Sequence, residues 1–330
     1  MLAQSAHWGD ADGHIWPFQL HRDLNDLATL IEVAFGDELR ETHSSIARDM
    51  RQMALMGPLL LAAGSALAPL NGFVWIDEGR LVGNVSYSRE GGRLAACTIS
   101  NVAVLPAFRG RGIASRLLDT TLEHLVRQGC RRVFLEVRAD NAHAKALYRK
   151  RGFTVYDVIH EHLLSRYNWP VIVAQPERPL RRVASGDGAA LYRLYLESTP
   201  RAVLRARPLE PSQFSRGLGW RLGRLGRLFT SGERWDEWVG TAEGRVVAWG
   251  SLTMLPPRRP WELSLMVAPE HRGAWERPLL VTLLGREPAL PGVDVRALPS
   301  ASHPEAIEAL QALGFRQLRV LDQMVRDLGP

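Results

Sequence analysis

The sequence predicts an α/β fold: a mixed, mostly antiparallel sheet flanked by helices, built twice in tandem. Three observations predict it. Short apolar runs alternate with amphipathic helical stretches, the pattern of helices lying on a sheet. A segment over 169–179, with Pro170, Pro176 and Pro179, reads as a linker. Beyond it the same order of elements starts again, and residues repeat with it. Val104-Leu105-Pro106-Ala107-Phe108-Arg109-Gly110 is answered by Val267-Ala268-Pro269-Glu270-His271-Arg272-Gly273, and Gly152-Phe153 by Gly314-Phe315. At 330 residues the chain is long enough for two cores. The expected division is a first domain over 1–168 and a second over 180–330.

In order, 15–21 alternates weakly and reads as a first strand. Asp23 caps a helix carrying Leu24, Leu27, Leu30, Ile31 and Ala34 on one stripe. A second helix spans 44–56. The apolar run over 53–70 is broken by Pro58, Gly64 and Pro69 and falls short of the ~20 apolar residues that span a bilayer, so a buried helical hairpin is expected. A turn at Asn71-Gly72 leads into a hairpin of 73–76 and 81–87. Residues 95–105 make the next strand, and its loop carries Arg109, Gly110, Arg111 and Gly112. A helix follows at once, with Ile113, Leu117, Leu118, Leu122 and Leu125 on one face and Gly129 as a left-handed cap. A strand over 133–137, a short helix over 142–150 capped by Asp140 or Asn141, and two strands over 153–158 and 159–164 close the first half.

The second half reads as a strand over 180–183, a helix over 187–197, a hairpin over 238–254 turning at Glu243-Gly244, a strand over 263–267 and a helix over 306–313. Between them, Arg221, Arg224 and Arg227 fall three apart, beside an apolar stripe of Leu218, Leu222, Leu225 and Leu228. Gly217, Gly219, Gly223 and Gly226 weaken a free-standing helix. A helix packed on its own domain, with solvated arginines, is therefore expected over one that touches an anionic substrate, RNA or membrane.

Charge and cysteine content bound the class. The net charge is +6, and Lys145 and Lys150 are the only lysines. That balance suits an anionic ligand without implying nucleic acid, and no membrane partner is expected. Cys97 and Cys130, the only two cysteines, make neither a disulfide framework nor a metal cluster, so a cytoplasmic setting and no metal are expected. The first ten residues lack the basic start and apolar core of a signal peptide.

The stretch over 100–114 organises the first half. Strand, glycine loop and helix start form an anion-binding design, because the first N–H groups of a helix have no partner within it and the helix dipole favours negative charge there. Glycine lets the backbone come close, and the arginines add charge-assisted hydrogen bonds. A diphosphate is expected at the helix start by Gly112. Arg109, Gly112 and Ala114 fit Arg or Gln, two residues, Gly, one residue, then Gly or Ala. Asn141, Ala144, Leu147, Tyr148, Gly152 and Phe153 fit Asn-x-x-A-x-x-L-Y-x-x-x-G-F. Together, in this order, the two motifs resemble the GNAT superfamily of N-acetyltransferases, over nearly the whole first half.

The resemblance implies acetyl-CoA as cosubstrate. Backbone groups of Val102, Ala103 and Val104, on a strand splayed from its neighbour, would meet the pantetheine arm. The N–H groups of Gly110, Arg111, Gly112, Ile113 and Ala114, with Arg109, would hold the pyrophosphate. Asn141 would contact the coenzyme and Tyr148 would lie near its sulfur. The alternative for Tyr148 is packing between helix and sheet. Attack of an amine on a thioester needs a base and a proton for the departing thiolate, the latter from Tyr148. Glu136 is the preferred base, since its strand is expected to be buried on both faces and so to desolvate it. The string L-E-V-R-A-D-N-A-H-A-K-A-L-Y also resembles bacterial ribosomal-protein N-terminal acetyltransferases, in which the matching glutamate is the base and the tyrosine the acid. A structural Glu136 paired with Arg138 or Arg111 is the alternative. Glu90, Glu161, His160 and His162 are reserves, expected at the surface, and the cysteines are expected to be inert.

The second half departs from the family. Trp275 and Arg277, followed by Pro278, stand where Gly112 and Ala114 would fall, His303 stands for Asn141, and Leu310 for Tyr148. A degenerate copy without cofactor or catalysis is expected. The reading is an N-acetyltransferase acting on a primary amine of a small molecule or a peptide N-terminus, with a homodimer left open. The rivals are a non-catalytic coenzyme A-binding module and a tandem enzyme resembling mycothiol synthase, in which the second half carries catalysis.

Overall fold

The structure, a computed structural model, describes residues 14–41, 71–90, 95–170, 178–255, 259–286 and 293–329. The expected helix over 44–56, the apolar run over 53–70 and most of the proline-marked segment lie outside them. The chain forms two compact units, and they do not follow the chain end to end. Among described residues the first takes those up to Val137, Asn141–Thr154 and those from Met324; the second takes Arg138–Asp140 and Val155–Gln323. The strand over 154–164, read as part of the first half, therefore counts almost wholly with the second unit.

In the first unit β1 (Ile15–Pro17) is followed by α1 (Leu20–Glu41), β2 (Asn71–Asp77), β3 (Arg80–Arg89), β4 (Ala96–Val104), α2 (Ile113–Arg127), β5 (Arg132–Arg138) and α3 (Ala142–Arg149). The strands lie in the order β1-β2-β3-β4-β5. All neighbours are antiparallel except β4 and β5. Leu24, Leu27, Leu30 and Ile31 of α1 are buried, as are Ile113, Leu117, Leu118, Leu122 and Leu125 of α2. The 3.6-residue period of both helices thus becomes an apolar stripe on the sheet. Asp23 sits inside the first turn of α1 rather than at its cap and reaches back to the Gln19 N–H at 2.7 Å. Asn71 and Gly72 are strand residues, not a turn. A Cβ on Gly72 would lie 2.3 Å from the Val85 carbonyl oxygen, so glycine is there for the close approach of β3. The β2–β3 turn places Glu78 and Gly79 at positive φ, the conformation that matches strand twist in a two-residue hairpin.

The second unit holds β6 (Thr154–Leu164, from Val155 on), β7 (Leu180–Arg182), α4 (Gly188–Ser198), α5 (Arg201–Ala206), α6 (Leu218–Ser231), β8 (Arg234–Ala242), β9 (Arg245–Met254), β10 (Trp261–Val267), α7 (Glu276–Arg286), β11 (Val295–Ala297), α8 (Pro304–Ala312) and β12 (Arg316–Asp327, up to Gln323). Its order β7-β8-β9-β10-β11 repeats that of the first unit, again antiparallel until a parallel last pair. The tandem repeat seen in the sequence is thus a repeat of topology.

Three expectations change here. The two strands over 153–164 are one. The final strand β12, twelve residues long, was not foreseen. Helix α6 is turned the other way from its expected orientation: its leucines face solvent, and Arg224 stacks on Trp220 and Trp235. Among the described residues no helix is long and apolar enough to cross a membrane.

Candidate active site

Residues 105–116 build the cradle. Pro106 starts a short 3-10 turn, and Arg109 Nε donates to the Val104 carbonyl at 3.2 Å, closing the loop on the end of β4. Gly110 and Gly112 both take φ +79°, and Gly112 is the N-cap of α2 without any side-chain cap. The first intrahelical bond runs from the Arg116 N–H to the Gly112 carbonyl at 3.0 Å. The six N–H groups from Gly110 to Ser115 donate to no described residue. A run of unsatisfied donors at a positive helix end is a site for an anion. A Cβ on Gly110 or Gly112 would meet nothing within 4 Å, so the space before these groups is open. Arg111 is exposed, its guanidinium 4.8 Å from the Phe108 ring centre.

The edge of β4 is also available. Its parallel pairing with β5 covers only Ala96–Thr98 against Arg132–Phe134. Beyond Thr98 the two strands separate, which leaves one edge of residues 99–104, including Val102, Ala103 and Val104, without a strand partner among the described residues. A bulge marks the change: the β3–β4 register shifts between Asn84 and Ser86, and Asn101 takes φ 51°. Asn84, fully buried, holds it by donating to the Asn101 carbonyl and to Ser86 Oγ, both at 3.0 Å. Sequence reading missed Asn84; a lone asparagine in an apolar strand is the signal that could have found it.

Helix α3 carries the second motif. Asn141 is its N-cap, Oδ1 accepting from the Ala144 N–H at 3.0 Å, so its amide nitrogen remains the group free to face a ligand. Tyr148 is 6% exposed, edge-on to Phe153 at 6.0 Å. No described residue hydrogen-bonds its hydroxyl. Burial pushes that hydroxyl up to about 12. Arg151, also missed, ties the two motifs together. It forms a bidentate pair with Asp119 at 2.6 and 2.7 Å and donates to the carbonyls of Ser115 and Leu147, both at 3.1 Å. Helix α3 is thereby fixed to the first turns of α2. Arg151 and Asp119 are 32 residues apart, and no local pattern announces the pair.

Glu136 lies on β5, but it is exposed. The expectation of a strand buried on both faces fails here, because β4 has already parted from β5 at Phe134. Leu135 and Val137 point into the core and Glu136 away from it. The reserves divide. Glu161 and His162 are buried, not at the surface: Glu161 pairs with Arg319 at 2.5 Å and Arg296 at 3.1 Å, and burial holds His162 below its ordinary value. Glu90 accepts a short hydrogen bond from Thr98, and His160 meets Gln317 at 2.7 Å. Cys97 and Cys130 are buried, and burial with a hydrogen bond to Cys130 pushes the Cys97 thiol up to about 12.

The corresponding place in the second unit is filled from within. Gly273 keeps φ +79°, but Trp275, 2% exposed, drives its ring against Gly240, where a Cβ would meet the indole at 2.3 Å. Glu276, 1% exposed, accepts from the Trp275 N–H at 3.2 Å and from His303 Nε2 at 2.7 Å. Burial pushes the Glu276 carboxyl up, but the bonds from His303, its own N–H and the Trp275 N–H outweigh that and hold it below the usual carboxylate range. Arg272 donates to the Ser302 and Ser198 carbonyls at 2.7 and 3.1 Å. A protein carboxylate thus takes the helix-end donors that α2 leaves open. Leu310, in the place of Tyr148, is core.

Residues 36–153 match the model of the acetyltransferase (GNAT) family. A mycothiol acetyltransferase of Corynebacterium efficiens is 38% identical over 91 residues, 27% of this chain and 30% of that protein. A [ribosomal protein bS18]-alanine N-acetyltransferase of Salmonella typhimurium is 43% identical over 60 residues, 18% of this chain and 40% of that protein. The match therefore spans less than half of either relative. A tandem GNAT protein from the clavulanic acid biosynthesis pathway shares the fold over 96% of this chain and 98% of its own, with a TM-score of 0.54 and 18% identity.

Proposed function

We propose that the first unit, whose residues 36–153 match the model of the acetyltransferase (GNAT) family, carries an acetyl group from acetyl-CoA to a primary amine by direct attack. The observation that carries this reading is the run of six N–H groups from Gly110 to Ser115 that donate to no described residue, beside the edge of β4 that no described strand pairs. The run suits a pyrophosphate and the edge suits an amide-bearing arm. Arg109 and Arg111 add positive charge, and the Asn141 amide nitrogen can donate to the coenzyme. Bound acetyl-CoA supplies an acyl thioester, whose C–S bond breaks as the C–N bond to the amine forms.

Glu136 takes the proton released from the amine, directly or through water. Its exposure suits contact with an incoming acceptor rather than the desolvated role the sequence suggested. Tyr148 serves the sulfur. Held at about 12, its hydroxyl stays protonated at any ordinary working pH. Full proton transfer to a thiolate of pKa ~8.5 would be uphill by roughly 3–4 units, about 5 kcal/mol, in the resting site. Tyr148 therefore acts chiefly as a hydrogen-bond donor to sulfur as charge develops there.

The acceptor is a primary amine of a small molecule or a peptide N-terminus; the two relatives' names point one to each class. The second unit takes no coenzyme, since Glu276 would repel a phosphate and Trp275 blocks the approach. The test is coenzyme-dependent thiol release from acetyl-CoA across polyamines, amino sugars, aminoglycosides and N-terminal peptides. Release with at least one class is expected. Coenzyme binding without release over the whole panel would favour a non-catalytic coenzyme-binding module.

A further inference from the structure

Helix α6 carries its apolar face outward. Leu218, Leu222, Leu225 and Phe229 are 73%, 58%, 50% and 84% exposed. At 100° per residue they share an arc of roughly 60°. The opposite face is anchored. The Arg216 and Arg224 guanidiniums lie 4.9 and 4.6 Å from the Trp220 ring centre, and those of Arg224 and Arg227 lie 5.3 and 4.7 Å from that of Trp235. Arg216 also pairs with buried Glu237 at 2.9 Å. Polar residues thus face in and apolar residues face out, the reverse of a helix that ends at its own domain.

We propose that this face is the two-fold interface of a homodimer, in which α6 packs against α6 of a second copy. Three observations select that occupant. First, the face is self-complementary. Gly219, Gly223 and Gly226 run beside the leucine ridge, are exposed and have open space where a Cβ would stand. Ridge and groove lie side by side on one helix, as an isologous contact requires. Second, the area is close to what a specific interface needs. A fully buried Leu or Phe corresponds to roughly 60–120 Å², so the four side chains with part-exposed Leu228 offer roughly 400 Å² per copy. Two copies with their flanks approach the ~1,000 Å² of a specific interface. Third, the charges do not suit a lipid surface. A membrane-bound helix directs arginines to headgroups beside its apolar face. Here the arginine side chains described, those of Arg216, Arg224 and Arg227, are directed to tryptophans and carboxylates on the other side.

Sedimentation of the full chain at micromolar concentration tests this. The wild type is expected at twice the chain mass. Leu222→Glu with Leu225→Glu is expected to sediment as a monomer with an unchanged circular dichroism spectrum. Gly223→Leu, which adds a side chain into open space in its own copy, is expected to weaken the dimer at least tenfold. Should the double variant fail to fold, Gly223→Leu decides alone. A monomeric wild type, or a dimer that persists in the folded variants, overturns the proposal. So does a wild-type monomer that cosediments with phosphatidylserine vesicles and loses this in Gly223→Leu or the glutamate variant.

Discussion

Replacing Gly112 with alanine separates backbone strain from loss of the anion cradle. Gly112 has φ +79°, and an L residue there costs about 1–2 kcal/mol. Its Cβ would meet nothing within 4 Å, so in the free protein that strain is the whole cost. Gly129, at the far end of α2, has φ +73° and equally open surroundings. Gly112→Ala and Gly129→Ala should therefore lose similar stability, read as the shift in urea midpoint at constant m-value. They should differ in coenzyme affinity. At position 112 the methyl group enters the space in front of the N–H run and holds an anion away from one or two donors. A hydrogen bond to a charged group contributes about 1.5–3 kcal/mol, so affinity should fall roughly ten- to a hundredfold. Gly129→Ala should leave it unchanged. Calorimetric titration with coenzyme A measures both. Equal affinities in the two variants would refute the assignment of the pyrophosphate to this cradle.

Other expectations concern the reacting groups and the second unit. Tyr148→Phe should lower kcat about a hundredfold or more while coenzyme affinity holds; because the hydroxyl is held at about 12, wild-type activity should show no alkaline fall from this group below about pH 10. Glu136→Gln should lower kcat at saturating coenzyme without shifting the thermal midpoint, as expected for an exposed side chain outside the core. Coenzyme titration should give one site per chain. In the second unit Glu276→Gln should lose about 1 kcal/mol or more at pH 7, measured by denaturant midpoints. Its folded pKa is depressed, so the ionised form adds stability above the unfolded value near ~4.3 and loses it as pH falls; the gap between variant and wild type should shrink below about pH 4.

The loop and helix start over 105–116 were legible because such a turn demands residue types at fixed spacing: glycines at positive φ, and an apolar stripe at once after. The tandem repeat was legible for the same reason, and so was the difference at the matching place in the second unit, where Trp275 stands for Gly112. What escaped was decided by pairing. V-F-L-E-V reads as a strand buried on both faces, yet Glu136 meets solvent because β4 leaves β5 two residues earlier. No local pattern encodes that parting. Periodicity placed Leu218, Leu222 and Leu225 on one face of α6 but could not say which face turns inward. Trp220, Trp235 and buried Glu237 decide it by offering guanidinium groups a better surface than leucine. β12 escaped because charged residues such as Arg319 and Asp322 interrupt its apolar alternation, and Arg319 pairs with Glu161, 158 residues away.

The membership of the first unit bears on how this chain is made. That unit includes residues from Met324 onward, where the Leu328 N–H donates to the Arg131 carbonyl at 2.8 Å and Arg132 pairs with Asp327 at 2.6 Å. A ribosome that has delivered both acetyltransferase motifs has still not delivered all of the unit that houses them. At roughly 5–20 residues per second, the wait from Phe153 to the last strand lasts on the order of ten seconds or more. A premature stop anywhere in the second unit would remove part of the first as well. The coding sequence of the second unit therefore cannot simply be dropped without cutting into the first.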